Sequence, residues 1–306
     1  MIKSVRLRGV LVSKKHFLII GRQADPCCGL VAEYARSNAY GVLLLPESDL
    51  FPRLGFSWQP PSRGTIAWDD VQLGFSEISG VLNRGYGAPV TPDEYQTSDG
   101  RYLSAEWNAL TMAWLDRMPC PVVNRLKPEL WYKPRLNVAD LATLVPGLRE
   151  FLPPTLVSTE RDEIRRFWAT HAGDMFYTPL TSCAEYPVRT AADLDSLETL
   201  CGALPLQLFK LEERARLHCF VTADDVVYLG HDGAMTQPQS SDLTAHCLAA
   251  GKALGILFYK LVLVAKPRGG WYCIGLDLLP SLNFCSPAAR QQIVINLGHV
   301  MCSGGR

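Results

Sequence analysis

Two charged residues stand on the two strands of a predicted hairpin near the end of the chain. Lys260 lies in the apolar run 256–264, and Asp277 lies in the run 271–284. The Lys-Pro-Arg-Gly-Gly segment at 266–270 is typical of a turn, so the two runs are predicted to pair antiparallel. A carboxylate on such a sheet could hold Mg²⁺, which prefers hard oxygen ligands. A lysine beside it would neutralise the carboxylate instead.

Strand periodicity predicts which side chains share a face with these charges, because side chains alternate between the two faces of a strand. The predicted faces carry Phe258, Lys260, Val262 and Val264 on the first strand, and Cys273, Gly275, Asp277 and Leu279 on the second. If the two faces coincide, Lys260 pairs with Asp277 and a protein cation takes the place of a bound one. The alternative is that Lys260 extends out of the strand to water.

Other residues that could support chemistry form weaker patterns. The six histidines, at positions 16, 171, 218, 231, 246 and 299, show no metal-binding spacing such as HExxH. The ten cysteines form no CxxC pair, and we interpret them as small buried side chains in a reducing compartment. No GxSxG or Cys-His signature indicates a hydrolase.

Composition sets broad limits on the fold and its partners. A chain of 306 residues is expected to form two or three packed units. The 30 basic residues equal the 30 acidic ones, so overall charge gives no reason to expect nucleic acid or an anionic membrane as a partner. The N-terminus lacks a signal-peptide core, and no run reaches the roughly 20 apolar residues of a membrane span. We therefore expect a cytoplasmic protein, and a homo-oligomer remains open.

The elements that must position Lys260 and Asp277 follow a regular order. A strand, a helix and a second strand over 16–46 indicate a parallel βαβ unit. The later predicted strands are 66–68, 71–73, 78–84, 121–125, 153–159, 175–180, 204–210, 216–221 and 226–229, before the hairpin. The later predicted helices are 104–115, 136–151 with an interruption at Pro146-Gly147, 161–170, 243–253 and 287–299. Together they predict a fold with both α/β and α+β parts.

Three segments in this order carry a family resemblance. They are "SGVLNRGYGAP" at 79–89, "SAEWNALTMAWLDRM" at 104–118 and "PVVNRLKPELWYKP" at 121–134. With the final hairpin, they resemble the ATP-grasp superfamily, in particular ligases of the peptide or carboxylate–amine type. The resemblance implies an N-terminal α/β (pre-ATP-grasp) domain over 1–124. It also implies an ATP-grasp body over 125–306, with a lid subdomain at about 155–209.

The resemblance assigns expected roles to a few residues. Arg84 and Asn124 match family positions, although Arg84 could instead pair with a carboxylate and Asn124 could close a turn. Lys133 stands at the first ATP-binding lysine, and Lys210 ends the strand whose backbone meets adenine in the family. Asp277 matches a metal-ligand position and is one methylene shorter than the glutamate usual there.

Four other positions depart from what the family's chemistry requires. Phosphoryl transfer needs cations around the transferred group, yet Thr178 stands at the second lysine and His218 at an arginine. Val262 and Leu279 stand at two metal-ligand positions, and neither side chain can bind magnesium. The loop at 181–185 also lacks the glycines of the family's lid loop. These departures predict a degenerate member.

Three functional hypotheses follow from this sequence. The first is a non-catalytic binding or partner subunit in a peptide or amino-acid ligase pathway, which would need no cofactor and would bind an intact ATP-grasp ligase or a peptide. The second is an active ATP-dependent carboxylate–amine or carboxylate–thiol ligase, using ATP and Mg²⁺ with Arg84, Lys133, Lys210 and Asp277. The third is a sensor that binds a small molecule or peptide in the cleft between the domains.

Overall fold

The computed structural model describes residues 15–22, 24–46, 53–85, 97–125, 127, 130, 135–171, 174–180, 184–212, 215–237 and 242–303. The predicted lysine Lys133 and the glycine-poor segment 181–183 lie outside these residues. No helix in the described part is long and apolar enough to cross a membrane.

The described elements are named here in chain order. The strands are β1 (His16–Gly21), β2 (Gly41–Pro46), β3 (Gly55–Gln59), β4 (Arg63–Trp68), β5 (Val71–Gly74), β6 (Ile78–Asn83), β7 (Val122–Val123), β8 (Arg135–Leu136), β9 (Thr155–Ser158), β10 (Met175–Thr178), β11 (Tyr186–Val188), β12 (Leu206–Lys210), β13 (Arg216–Thr222), β14 (Asp225–Leu229), β15 (Phe258–Ala265) and β16 (Trp271–Asp277). The helices are α1 (Pro26–Ser37), α2 (Ser98–Arg117), α3 (Val138–Leu144), α4 (Arg161–Thr170), α5 (Ala191–Glu198), α6 (Asp242–Leu254) and α7 (Pro287–Cys302). Short 3₁₀ turns lie at Phe75–Glu77 and Pro146–Phe151.

The N-terminal part is built on a parallel sheet of order β2-β1-β6-β7. Asp25 caps α1 by accepting a hydrogen bond from the backbone N–H of Cys27 at 2.9 Å. The predicted βαβ unit is confirmed. Strand β7 is shorter than predicted because Asn124 has a φ of 60°, a left-handed conformation that asparagine tolerates better than most residues and that ends the strand.

A three-stranded antiparallel sheet, β3-β4-β5, packs beside the parallel sheet. Its second hairpin confirms the predicted strands at 66–68 and 71–73. Strand β3 was not predicted, and α2 begins before the predicted helix because Thr97 caps it by accepting a hydrogen bond from Gly100.

Two antiparallel sheets form the rest of the molecule. The large sheet has the order β14-β13-β15-β16-β8, and the smaller one, called the lid sheet here, has the order β11-β10-β12-β9. Strands β8 and β11 have two and three residues, and α5 has eight. None of these three elements is predicted from the sequence, since such short segments show little periodicity.

A shift of register in the final hairpin corrects one predicted face. Val262 pairs with Gly275, but Leu263 pairs with Cys273, so the returning strand carries one extra residue at Ile274. Cys273 consequently packs with Leu263 in a buried apolar cluster on the face opposite to Asp277. The prediction that Cys273 shares the face of Asp277 was wrong, because strict alternation fails at a bulge.

Both faces of the large sheet are covered by apolar packing. Helix α6 packs against one face over its length. On the other face, α7 and the N-terminal sheet cover one end through Phe220 and Phe258. The lid sheet covers the opposite end through a cluster that includes Val264 and Ile274. Between these two covered ends lies a polar band, which consists of Arg135 on β8, His218 on β13, Lys260 on β15 and Asp277 on β16.

Candidate functional site

A row of three charged residues crosses the polar band. Lys260 on β15 is the direct partner of Asp277 on β16, which is in turn the partner of Arg135 on β8. The Lys260 Nζ lies 3.7 Å and the Arg135 Nε 3.8 Å from the same oxygen, Asp277 Oδ2. The predicted meeting of Lys260 and Asp277 on one face is confirmed. Arg135 was not predicted, because a two-residue strand gives no sequence signal that places it beside Asp277.

The geometry of this row does not suit a magnesium ion. The Asp277 carboxylate faces two cations through Oδ2, and its Oδ1 accepts a hydrogen bond from the Leu279 backbone N–H at 3.0 Å. The side chains of Val262 and Leu279 carry no oxygen. Among the described residues, no group of three or more His, Cys, Asp or Glu side chains could hold a metal ion. The residues present therefore do not fit the metal that the family resemblance implies.

His218 occupies the next row of the sheet, opposite Val262. Burial, together with the charges of Lys260 and Arg216, lowers the pKa of His218 to about 4. Its ring packs edge-on against Phe284, with 4.7 Å between the ring centroids. Its buried Nδ1 atom has no hydrogen-bond partner among the described residues. His218 is therefore neutral at pH 7 and does not supply the positive charge of the arginine that the resemblance implies there.

The lid sheet meets the polar band near Thr178. This side chain is buried, and its hydroxyl donates a hydrogen bond to the Ala184 carbonyl at 2.9 Å. The adjacent Glu185 accepts two hydrogen bonds from the Arg216 guanidinium, at 3.0 and 2.6 Å. Thr178 thus holds the backbone at Ala184. The next residue, Glu185, forms a bidentate ion pair with Arg216 of β13.

Gln207 is a buried polar residue that the sequence analysis missed. It is the strand partner of Thr178, as Phe209 is of Phe176, and the two phenylalanines pack in the cluster with Val264 of the large sheet. Gln207 therefore lies on the face of the lid sheet that turns toward the large sheet. Neither of its amide atoms has a hydrogen-bond partner among the described residues. A glutamine inside an otherwise apolar strand was the only signal in the sequence.

Arg84 and Asn124 come together at the C-terminal edge of the parallel sheet, where they follow β6 and β7. Arg84 donates to Asp25 Oδ2 from Nε at 2.8 Å, and to the carbonyl oxygens of Leu279 and Pro280 from Nη2 at 3.5 and 3.2 Å. Asn124 donates from Nδ2 to the Leu278 carbonyl at 2.6 Å. These two side chains bind three consecutive carbonyls, and the contact is called the carbonyl clamp here.

The carbonyl clamp changes the interpretation of both residues. The side chain of Arg84 is 4% exposed and forms an ion pair with Asp25, which matches the alternative of a carboxylate partner. Asn124 is fully buried and bends the chain, which matches the alternative of a turn. The atoms Arg84 Nη1 and Asn124 Oδ1 are buried without a partner among the described residues. The two residues share one place, where both contact the main chain of residues 278–280.

Lys210 lies at a different place on the molecule. It ends β12 and lines a cavity of about 440 Å³ together with Lys266 and Tyr272, at the turn end of the final hairpin. Lys260 and Lys266 are six residues apart on an extended strand, so the charged row lies on the order of 20 Å away along it. The structure does not bring Lys210 to Asp277.

A cavity of about 840 Å³ opens on the face of the large sheet that α6 covers. Its walls combine the aromatic side chains of Phe151 and Trp271 with charged groups of both signs, including Glu150, Asp242 and Lys266. The Nζ atom of Lys266 lies 5.8 Å from the ring centroid of Phe151, within the range of a cation–π contact. A volume of this size, with mixed polar and apolar walls, suits a peptide or a small molecule.

Comparison with known proteins gives matches to solved structures alone. No family model matches the chain, and no curated protein matches its sequence. A RiPP-associated ATP-grasp ligase of Chryseobacterium gregarium, in complex with ADP and a leader and core peptide, matches with a TM-score of 0.72 and 18% identity, over 95% of this chain and 98% of that one.

Two other structures match over similar lengths. The macrocyclase MdnC of Microcystis aeruginosa MRC, bound with precursor peptide MdnA, has a TM-score of 0.72 and 14% identity over 92% of this chain and 99% of that one. The ATP-grasp ligase PsnB, complexed with a phosphomimetic variant of a minimal precursor, Mg and ADP, has a TM-score of 0.74 and 21% identity over 96% and 99%. These structural matches confirm the fold implied by the sequence: the chain adopts the ATP-grasp fold.

Proposed function

We propose that this protein is a non-catalytic ATP-grasp homologue that binds a peptide. One observation carries the proposal: Asp277, the last carboxylate at the predicted metal site, is held by Lys260 and Arg135. A magnesium ion at Asp277 would have to displace both cations or approach them closely. Neither Val262 nor Leu279 could complete its coordination.

Nucleotide binding would suffer from the same charge arrangement. ATP brings several negative charges, which an ATP-grasp site neutralises with lysines and magnesium ions. Here Thr178 and the neutral His218 supply no positive charge. When the negative charge of a phosphate is not neutralised in a partly desolvated cleft, each missing cationic contact costs on the order of several kcal/mol. A free-energy difference of about 1.4 kcal/mol corresponds to a tenfold change in affinity. Losing three contacts, those of the lysine at position 178, the arginine at position 218 and the magnesium ion, would therefore remove useful binding of Mg-ATP.

The peptide part of the proposal has two supports. The similar structures from Chryseobacterium gregarium and Microcystis aeruginosa contain bound precursor peptides. This chain also has a cavity of about 840 Å³ whose walls include Phe151 and Trp271. An aromatic wall with charged groups around it could bind a peptide segment through apolar burial and ion pairs. An intact ATP-grasp ligase acting on the same peptide would be the natural protein partner.

The first prediction concerns ATP itself. Isothermal titration calorimetry with Mg-ATP should show no binding in the micromolar range, because three cationic or metal contacts are missing. Phosphate release should stay at background when a carboxylate and an amine are added. Thr178→Lys should not restore activity, since the residues at 262 and 279 still cannot hold magnesium.

The opposite result would favour the active ligase. A low-micromolar dissociation constant for Mg-ATP, or magnesium-dependent phosphate release, would contradict the non-catalytic proposal. An arrayed library of synthetic peptides tests the other half of the proposal, with Trp271→Ala as the variant expected to lose binding. If no peptide binds but a metabolite raises the melting temperature, the protein is a small-molecule sensor.

A further inference from the structure

The lid sheet has two edge strands, β11 and β9, and they differ in the main-chain groups that they leave open. Strand β11 carries Pro187 at its centre, and proline has no N–H to offer to a further strand. Strand β9 pairs with β12 on one side and with none of the other described strands on its second side. It contains no proline. Of the two edges, that of β9 is therefore the one that can accept a further strand.

The register of β9 shows which main-chain groups face this open edge. The Lys210 N–H donates to the Pro154 carbonyl at 2.9 Å, so the carbonyl of Pro154 faces β12. In an antiparallel pair, residues whose N–H and C=O face the partner strand alternate with residues whose groups face away. The main-chain groups of Thr155 and Val157 therefore face away from β12. Within the described residues, these groups form no hydrogen bond with another segment, and an edge of this kind is a template for a further strand.

A cavity of about 690 Å³ lies beside this edge. Thr155 and Val157 of β9 form one wall, and helix α3 contributes the small side chains of Ala139 and Ala142 to another. The Val157 side chain is 43% exposed, although valine is among the residues most often buried in proteins. Tyr272 adds an aromatic ring to the lining. The open edge of β9 thus borders a space with apolar walls, whose volume is in the usual range of ligand clefts.

The surroundings of this cavity carry more positive than negative charge. Arg149 and Lys266 line it together with one carboxylate, that of Glu150. The cavity of about 440 Å³ described above shares Lys266 with it and adds Lys210 and Arg268, again with one carboxylate. Four cations therefore lie near two carboxylates. Complementarity of charge favours a chain segment with acidic side chains as the occupant of this edge.

We propose that an extended, acidic segment of a peptide adds to the lid sheet as a strand along β9. The proposal rests on the proposed function, because the cavity of about 840 Å³ proposed there for a peptide also has Glu150 and Lys266 in its walls and so adjoins this one. It goes further by naming the contact: the peptide main chain forms hydrogen bonds with Thr155 and Val157. Every second side chain of the segment then lies on the face of the cavity. Recognition of this kind selects an extended chain and its charge rather than one exact sequence.

The first experiment uses the full chain and a fluorescent, acetylated heptapeptide in which valine and glutamate alternate. Fluorescence anisotropy should show saturable binding that weakens as salt is added, since salt screens the attraction between exposed charges. A peptide with lysine in place of glutamate is the charge control and should not bind. Two further derivatives carry N-methyl groups on alternate amides, one for each edge of the peptide strand. The derivative whose methyl groups remove the N–H donors that face β9 should bind about tenfold more weakly or worse, and the other should bind like the parent peptide.

Variants on both walls of the cavity locate the contact. Val157→Pro removes an N–H that faces the open edge, and proline is tolerated at such edge positions, so the pairing of β9 with β12 is kept. It should weaken the parent peptide at least about tenfold. Val157→Thr is the matched control, because threonine keeps the N–H and suits a strand, and it should change the affinity less than about threefold. Ala142→Leu fills the cavity from α3 without touching β9 and should also weaken the peptide about tenfold.

Several results would overturn strand addition. They are no binding of the parent peptide, equal binding of both N-methyl derivatives, equal binding of the lysine peptide, or an affinity that neither Val157→Pro nor Ala142→Leu changes. A wild-type dimer that Val157→Pro converts to a monomer would also overturn it, because a second copy would then occupy the edge. The two proposals fail separately. A peptide whose binding is lost in Trp271→Ala but unchanged in Val157→Pro overturns the strand contact alone, whereas turnover of Mg-ATP overturns the proposed function and leaves strand addition standing.

Discussion

Two clusters of charged side chains in this molecule contain a cation beside an aspartate, and their geometries differ. In the carbonyl clamp, Arg84 lies 2.8 Å from Asp25 and is 4% exposed. In the charged row, Lys260 lies 3.7 Å from Asp277 and is 19% exposed, and a second cation shares the same oxygen. The first pair has hydrogen-bonding geometry, and the second has only charge proximity.

This difference separates a charge that the fold uses for several hydrogen bonds from one that the fold uses only for ion pairing. Arg84 donates to a carboxylate and to two carbonyls, so most of its donors are used by the fold. Removing it would leave buried acceptors without partners, which is costly. Lys260 forms an ion pair with Asp277 but makes no hydrogen bond from its side chain within the described part of the chain, so its removal should cost the fold less. Both side chains are largely buried, so burial alone does not distinguish Arg84 from Lys260. The number of their N–H groups that donate hydrogen bonds does.

The largest expected effect is on the clamp. Arg84→Ala should lower the free energy of unfolding by about 3–5 kcal/mol, because it leaves Asp25 unpaired and three hydrogen bonds unmade. Urea denaturation followed by circular dichroism measures it. The exposed pair of Arg53 and Asp69 provides the control, and Arg53→Ala should cost less than about 1 kcal/mol. A loss below about 1 kcal/mol for Arg84→Ala would show that the clamp does not hold the fold.

A smaller effect is expected on the charged row. Asp277→Ala leaves Lys260 and Arg135 facing each other without a carboxylate. The expected loss in the free energy of unfolding is on the order of several kcal/mol if the pair is buried, and under about 1 kcal/mol if it is exposed. With Asp277 side-chain exposure of 11% and Arg135 at 55%, we expect about 2 kcal/mol, since water reaches one of the two cations. Added salt should recover part of the loss in chemical denaturation, and a loss as large as that of Arg84→Ala would remove the contrast between the clusters.

The smallest effect concerns pH. The pKa of His218 is lowered from its ordinary value of 6.5 to about 4. Below pH 6.5 the unfolded chain therefore binds a proton that the folded chain does not, and stability falls with decreasing pH until about pH 4. Because this ring is partly open to solvent, we expect only about 1 kcal/mol between pH 7 and pH 5. The difference between wild type and His218→Gln in urea titrations at those two pH values measures it, and parallel pH profiles would contradict it.

Much of the fold could be predicted from the sequence because most elements carry a local signal. The alternation in the final hairpin predicted that Lys260 meets Asp277, and the order of strands and helices predicted the ATP-grasp fold. Short segments were missed, since two or three residues show no period. The prediction of the face on which Cys273 lies was wrong. A β-bulge depends on packing between strands and not on the local pattern of apolar and polar residues.

The candidate site was predicted less well, because its contacts join residues far apart in the chain. Asp25 reaches Arg84 across 59 positions, and Leu278 reaches Asn124 across 154. Nothing near Arg84 in the sequence indicates which carboxylate it meets. The family resemblance matched Arg84 and Asn124 to family positions, and in the structure both side chains contact main-chain carbonyls. Arg135 gave no signal in the sequence, and the only signal for Gln207 was its position within an apolar strand.

The carbonyl clamp has a consequence for how this chain can change over evolutionary time. Arg84 and Asn124 contact the backbone oxygens of residues 278–280, and every amino acid presents the same oxygen. A substitution at 278 or 279 therefore leaves the acceptors of the clamp in place, provided that the new side chain fits. The contact between the parallel sheet and residues 278–280 thus requires no particular side-chain acceptor at position 279. Residue 279 can therefore change without loss of the hydrogen bonds that join this segment to Arg84 and Asn124.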